Sequence, residues 1–353
     1  MREINAPFAE DLDLEFGAPE GSLCSIPAQV VKKTYNRFKV EDLCKEEVTD
    51  WLSFNGETPL ADRINFCGTS FVHLEDSKGN QKYARIRCKN ELCPVCGTKN
   101  SAVHIRRVRR AATRLLWNGL LGYFVFTLPA EISEARPDKD VINDITKKAW
   151  LIVKQEFETP GGLSRIHLMG DKPGKLHIHI NFLFPLLTAD NRGMISKEKI
   201  EKVRGLWTKT LNETFKLNLK ESNFKYRFAD LPGKKVNKIK YVLRPIVTAY
   251  KFLTLSDEDK KYILSLRKGH NTRWYGELSN SKYKKYLLDR GIDAEKIEAE
   301  IDGLLCPVSG EKYHFVDIIP QSALPLHNLR WLDEDTLVDF GTFAYMQAND
   351  PPN

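Results

Sequence analysis

Hydrophobic and polar positions alternate most regularly over Lys172–Pro185, KPGKLHIHINFLFP. Leu176, Ile178 and Ile180 point one way and His177, His179 and Asn181 the other, which is the period of a strand. Phe182, Leu183 and Phe184 then break the alternation, as a strand buried on both faces does. The run LGYFVFTL (121–128) reads as another buried strand, closed by Pro129. Asp138–Glu158 places Ile142, Ile145, Ala149, Ile152 and Val153 on one helical face, and Gly161–Gly162 end it. Leu163–Met169 and Lys175–Phe184 form a hairpin around GDKPG. Ser196 can cap a helix running to Leu217, with Ile200, Val203, Trp207, Leu211 and Phe215 inward. Asn223–Leu231 alternates as a strand, and a basic helix begins near Val236.

The resulting order, β-α-β-β-α-β-α, predicts an α+β fold. It is the split-βαβ, ferredoxin-like arrangement: an antiparallel sheet with helices on one side and the His-x-His strand in its middle. Four regions follow from composition. Residues 1–25 are an acidic mobile tail; 26–118 are a helical and four-cysteine region ending in an Arg-rich helix, Ser101–Leu116; 119–255 hold the sheet; 256–353 are a C-terminal α/β extension. Within that extension, 293–304 look helical and Tyr313–Ile319 reads as a strand, while RWYGELSN (273–280) and YKKYLLDRGI (283–292) are basic and aromatic and could stack bases, which makes the extension a candidate DNA-binding part.

A chain of 353 residues is long enough for a substantial core and two or three domains. No apolar run approaches a membrane span and the N-terminus does not read as a signal peptide, so a cytoplasmic protein with no membrane partner is expected. The net charge of +7 is unevenly spread. Residues 85–120 carry nine Lys/Arg against the single acid Glu91, and residues 231–251 carry six with no acid. Such blocks point to a polyanion, or to solvated helix faces. Arg106, Arg107, Arg109 and Arg110 are the candidates to lie against phosphates. Neither a GxxxxGKS loop nor a GxGxxG fingerprint is present, which argues against P-loop nucleotide hydrolysis.

Two groups of residues carry candidate chemistry. Cys67, Cys88, Cys93 and Cys96 are spaced C-x20-C-x4-C-x2-C, and the last pair lies in a CPVCG knuckle. Four thiolates suit tetrahedral Zn²⁺ in a closed, structural site. Cys24 and Cys44 have no such spacing. The second group is His177 and His179, two imidazoles on one strand face, which can bind a divalent transition metal or be a satisfied polar pair. A divalent metal needs further ligands. A turn centred on Lys172 sets His167 opposite His177 on the same sheet face, which makes His167 the candidate third ligand. His73, His104, His270, His314 and His327 have no such geometry.

Taken in order, RCKNELCPVCG (87–97), FVFTLP (124–129), HIHIN (177–181) and KIKYVLRP (238–245) resemble the rolling-circle plasmid replication initiators of the HUH endonuclease superfamily and the related single-strand transposases. The resemblance implies a nickase and strand transferase. A tyrosine attacks a phosphate of single-stranded origin DNA, keeps the 5′-phosphate and leaves a 3′-OH that primes a polymerase. It implies Tyr241 as nucleophile, the histidine-bound Mn²⁺ or Mg²⁺ as electrophile, a structural zinc, and a host helicase and polymerase as partners. Lys238, Lys240 and Arg244 flank Tyr241 and can grip phosphate. Tyr250 is the rival nucleophile; on a straight helix it lies opposite Tyr241, and Pro245 can bend that helix. The family's glutamate four residues before the tyrosine is here Asn237, which leaves open the residue that terminates the reaction. Three alternatives remain: a transposase of the same chemistry, a non-enzymatic zinc-containing nucleic-acid binder, and a metal-dependent hydrolase without a covalent step.

Overall fold

The computed structural model describes residues 34–98, 101–115, 120–157, 159–169, 174–186, 195–229, 232–267, 271–289, 291–320 and 332–339. The acidic tail expected at 1–25, Cys24, His270 and His327 lie outside them. The chain divides into two compact units, residues 1–40 and 41–353; the sheets and sites below all belong to the second.

Helices α1 (Thr34–Phe54) and α2 (Thr58–Asn65) lead into a hairpin, β1 (Ser70–Glu75) and β2 (Gln81–Arg87). Its turn is made by Asp76, whose carboxylate accepts the Lys78 and Asn80 amides, both at 2.9 Å. The arginine-rich helix α3 (Ala102–Leu115) follows. The next stretch contains β3 (Leu120–Thr127), α4 (Ala130–Glu134), α5 (Lys139–Phe157), β4 (Gly161–Met169), β5 (Leu176–Leu186), α6 (Lys197–Phe215), β6 (Phe224–Ala229) and α7 (Pro232–Val242). The remainder is α8 (Ala249–Leu253), α9 (Asp257–Arg267), β7 (Thr272–Gly276), α10 (Asn280–Leu288), α11 (Ala294–Ile301), β8 (His314–Pro320) and β9 (Leu332–Asp339).

The fold is mixed α+β, with two sheets. The five-stranded sheet runs β6-β3-β5-β4-β7 and is antiparallel throughout, with the His-x-His strand β5 at its centre. The four-stranded sheet runs β8-β1-β2-β9, antiparallel except for the β2–β9 pair. Residues after 255 thus supply an outer strand to the five-stranded sheet and both outer strands of the other, so composition alone does not mark off a separate C-terminal part. Among the described residues, no helix is long and apolar enough to cross a membrane.

Residue alternation sorts the five-stranded sheet into two faces. Phe124, Phe126, Ile180, Phe182 and Phe184 share a core with Ile145, Ala149 and Val153 of α5 and Val203, Trp207 and Leu211 of α6. Phe124 is at the centre of this layer, its ring centroid within 4.8–5.3 Å of those of Phe157, Phe184, Phe224 and Tyr226. Gly122 is required here, because a Cβ would meet the Phe184 ring at 2.8 Å. Ser196 caps α6 by accepting the Lys199 amide at 3.2 Å.

The opposite face is also covered. Leu121, Tyr123, Leu163 and Leu183 pack with Val108, Ala111 and Leu115 of α3 and Ile239, Val242 and Leu243 at α7. Helices therefore lie on both sides of the sheet, not on one as the element order suggested. The run Phe182-Leu183-Phe184 loses its alternation for this reason: Leu183 enters the α3/α7 layer while its neighbours enter the α5/α6 layer.

Truncating Phe124 removes the shared contact of four rings. Phe124→Ala is expected to lower unfolding stability by about 3–5 kcal/mol in a denaturant titration, and Phe124→Leu by clearly less.

Candidate functional site

The cysteine cluster is assembled by the hairpin. Cys67 follows α2 and Cys88 follows β2, so the twenty residues between them are the β1–β2 hairpin that brings its own two ends together. Sequence reading missed these strands, although the Asp-Ser-Lys-Gly-Asn turn was a usable signal. Gly97 closes the knuckle: its amide donates to Cys93 O at 2.7 Å, and a Cβ there would meet Glu91 O at 1.9 Å. All four cysteines are buried and free of disulfides, with their sulfurs within 4.8 Å of one another. Cys67 Sγ lies 3.4 Å from Cys96 Sγ, and Cys88 Sγ 3.8 Å from it. Four sulfurs about 2.3 Å from a tetrahedral Zn²⁺ would be about 3.8 Å apart. The group can therefore hold a metal ion such as zinc. Hydrogen bonds from Cys88, Cys93 and Cys96 hold the Cys67 thiol well below its ordinary value, while those to Cys67, Cys93 and Cys96 push Cys88 well above its own. A bound cation relieves that competition, because every ligand can then be thiolate.

The histidines meet on the α3/α7 face. His167 pairs with His179 across β4 and β5, not with His177 as a turn centred on Lys172 would give. The turn is offset and a register shift follows His167, but an offset of two positions keeps the side chain on the same face. The His167 and His179 ring centroids are 5.0 Å apart, and those of His177 and His179 are 5.6 Å apart. His167 is 1 % exposed and His179 7 %, whereas His177 is exposed.

The nitrogens of His167 are engaged. Nε2 donates to Val242 O at 2.8 Å, and Arg244 Nε donates to Nδ1 at 3.4 Å. Burial, then the charges near His179, Arg244 and Arg165, hold its pKa well below the ordinary histidine value, so it is a neutral imidazole. Coordination through Nδ1 would require Arg244 to move away. His179 Nδ1 lies 3.1 Å from His177 O, and the tautomer that donates to this carbonyl carries its lone pair on Nε2. Among the described residues, the four cysteines are the one group of three or more His, Cys, Asp or Glu side chains arranged to hold a metal.

Tyr241 stands at the edge of this cluster. The packing of Ile239, Val242 and Leu243 fixes α7 over the sheet, leaving Tyr241 43 % exposed with its ring 6.3 Å from that of His167 and 6.1 Å from that of Tyr123. The Arg244 guanidinium lies 4.5 Å from the Tyr241 ring centre. The helix does not continue to Tyr250: it ends at Val242, residues 243–248 are irregular with Pro245 among them, and Tyr250 lies on the separate α8. The comparison of the two tyrosines around a single straight helix therefore does not apply. Asn237 is exposed on α7.

Below the histidines, Tyr123 Oη donates to Asn181 Oδ1 at 2.8 Å, and Asn181 Nδ2 donates to Arg165 O at 3.3 Å. Burial, then the neighbouring Tyr241, pushes Tyr123 well above the ordinary tyrosine value, so it remains a proton donor. Lys238 Nζ lies 5.7 Å from the Tyr123 ring centre, and Lys240 is half-buried on α7.

The expected phosphate-binding face of α3 is largely turned inward. Arg106 is 3 % exposed and donates to Ile301 O. Arg107 pairs with Glu91 at 2.6 Å, and Arg110 with Glu298 at 2.6 Å and Asp302 at 3.4 Å. Arg109 is half-buried. Glu298 and Asp302 lie far along the sequence, so the charge block alone did not reveal them. Glu91 is the most connected. Its carboxylate accepts Arg107, Arg165 and the Ile246 amide, the last at 2.7 Å. Burial raises its pKa, but Arg165, Arg107 and that amide reverse the effect and hold it at about 2. Arg165 is 2 % exposed; burial pulls it down to about 10 despite Glu91 beside it, so the pair is ionised at neutral pH. Arg165 Nε also donates to Arg244 O at 3.1 Å. Sequence reading noted Glu91 as the lone acid of a basic block without giving it a role.

His104 is buried on α3, and burial, then Arg107 and Arg165, lower its pKa to about 4. His73 stacks on Tyr83 with ring centroids 4.6 Å apart. Both are packing residues, as their lack of motif spacing suggested. Compared with known proteins, the chain matches no family model, no curated protein and no solved structure.

Purified protein is expected to carry about one zinc per chain by elemental analysis, and Cys93→Ser to lose it. Glu91→Gln leaves Arg165 and Arg107 short of a buried counter-charge; it is expected to keep zinc and lose about 3 kcal/mol of stability in a denaturant titration.

Proposed function

We propose that this protein is a single-stranded DNA nickase and strand transferase of the HUH type that initiates rolling-circle replication, with Tyr241 as nucleophile. One observation carries the reading: α7, packed on the sheet through Ile239 and Val242, carries the Tyr241 ring 6.3 Å from His167, which pairs with His179 on the His-x-His strand. A tyrosine, two strand-borne imidazoles and a guanidinium thus share one partly open sheet face. The strand order β6-β3-β5-β4, with α5 and α6 in the connections, also supports a ferredoxin-like core of this type, extended by β7.

In this reaction, the Tyr241 Oη–P bond forms as the P–O3′ bond breaks. The phenol proton passes to solvent and the leaving 3′-oxygen takes one up. The product is a 5′-phosphotyrosine that keeps the energy of a phosphodiester for later rejoining. His177 and His179 would hold Mn²⁺ or Mg²⁺, two nitrogen donors suiting Mn²⁺ better. The cation would polarise the phosphoryl oxygen and offset developing charge. His167 keeps Arg244 beside Tyr241, where the guanidinium can contact the scissile phosphate. Origin DNA, a host helicase and a host polymerase are the partners this reading requires. Transposition by the same chemistry would use the same residues.

With a single-stranded origin oligonucleotide and Mn²⁺, a denaturing gel is expected to show a covalent protein–DNA band. Tyr241→Phe should abolish it, and His179→Ala should lower its rate by at least a hundredfold. Cleavage without an adduct would indicate a hydrolase. Binding without cleavage, across a range of sequences and metals, would indicate a non-enzymatic binder.

A further inference from the structure

A cavity of about 280 Å³ lies beside the cysteine knuckle, walled by Arg63 of α2, Lys89, Asn90 and Glu91 of the loop between Cys88 and Cys93, Arg107 of α3, and Arg267 at the end of α9. It is separate from the histidine face, because Leu168 lines it while its neighbour His167 faces Tyr241. A second cavity of about 280 Å³ meets it at Arg63 and Arg267.

Four cations and one carboxylate line the first cavity, and the carboxylate is already engaged, with one of those cations, Arg107, among its partners. Glu91 already accepts Arg107, Arg165 and the Ile246 amide. Arg63 donates to Cys88 O at a long 3.4 Å. Arg267 Nη1 and Asn90 Nδ2 are buried and meet no acceptor among the described residues, and Asn90 is only 6 % exposed. The Asn90 oxygen cannot turn to serve as an acceptor for the guanidinium groups, because it accepts the Leu92 amide at 2.9 Å. Glu57 lines the second cavity beside the same two arginines, so the pair is partly offset in charge; buried donors left unpaired are costly all the same. Oxyanions with several acceptor oxygens and at least one negative charge meet both needs, and arginine forks match phosphate geometry.

We propose that this cavity is a phosphate-binding site, with Arg63 and Arg267 as its principal ligands and Asn90 as a neutral donor. The phosphate belongs either to a nucleic-acid backbone or to a small free anion. The site needs no covalent step, so it stands or falls independently of the nickase reading.

The test uses zinc-loaded full-length Tyr241→Phe protein, which cannot form an adduct. Pyrophosphate is titrated calorimetrically, and a fluorescent single-stranded oligonucleotide by anisotropy. Arg63→Gln and Arg267→Gln are each expected to weaken pyrophosphate binding at least fivefold, and the double variant at least tenfold. Arg204→Gln, which disrupts an exposed pairing with Glu201, should change nothing. If the site serves a strand, pyrophosphate competes with the oligonucleotide and the variants weaken both. If it serves a free anion, oligonucleotide binding is unaffected by the variants. Equal binding by the variants would overturn the proposal, as would variants that lose zinc together with pyrophosphate, since the arginines would then be serving the thiolates. Should the variants not fold, the parent protein decides: a thermal midpoint that rises saturably with pyrophosphate supports the site, and a flat one refutes it.

Discussion

The carboxylate of Glu91 joins parts of the chain that have little else in common. It sits in the loop between Cys88 and Cys93 and accepts from α3 through Arg107, from β4 through Arg165, and from the segment after α7 through the Ile246 amide. Arg165 passes the connection on by holding Arg244 O, and Arg244 in turn touches both Tyr241 and His167. A continuous series of contacts, through Glu91, Arg165 and Arg244, thus runs from the knuckle loop to the tyrosine. Two buried guanidinium groups around one carboxylate are tolerable only while all three partners stay in place.

The basic character of α3 is mostly spent inside the protein. Arg106, Arg110 and Arg114 of α3 meet Ile301 O, Glu298, Asp302 and Asn280, all from the C-terminal third. Arg114 is also sandwiched by Trp274 and Tyr283 at 4.8 and 4.7 Å. The aromatic and basic segments after residue 272 thus have a structural use as a seat for α3. Cationic side chains also lie around Tyr241 and in the cavity bounded by Arg63 and Arg267.

Much of the five-stranded sheet was legible in the sequence, because strands β3 to β6 and helices α5 and α6 each carry a clear period or cap. His167 shows how far such reading reaches. Hairpin parity put it on the correct face, but its partner was misassigned, because a turn offset and a register shift leave no mark in the residue types. The hydrogen bonds that engage both its nitrogens come from Val242 and Arg244, which only the packing of α7 brings near. The cysteine cluster was legible from spacing alone; the hairpin that forms it was hidden in an interval taken as spacer. Tyr123 and Asn181 were visible as strand residues, but their mutual hydrogen bond depends on the neighbouring alignment of β3 and β5. Glu91, Arg107 and Arg165 are distant in sequence, and no local pattern announces that they meet.

Coupling between the knuckle and Tyr241 can be read most directly from tyrosine ring signals in solution. Zinc-loaded protein labelled with ¹³C-tyrosine would be compared with zinc-loaded Glu91→Gln, identifying the Tyr241 resonance by its absence in Tyr241→Phe. The Tyr241 resonance is expected to shift or broaden in Glu91→Gln, while that of Tyr226, on the opposite face of the sheet, stays in place. An unchanged Tyr241 resonance in a folded, zinc-loaded Glu91→Gln protein would contradict the account.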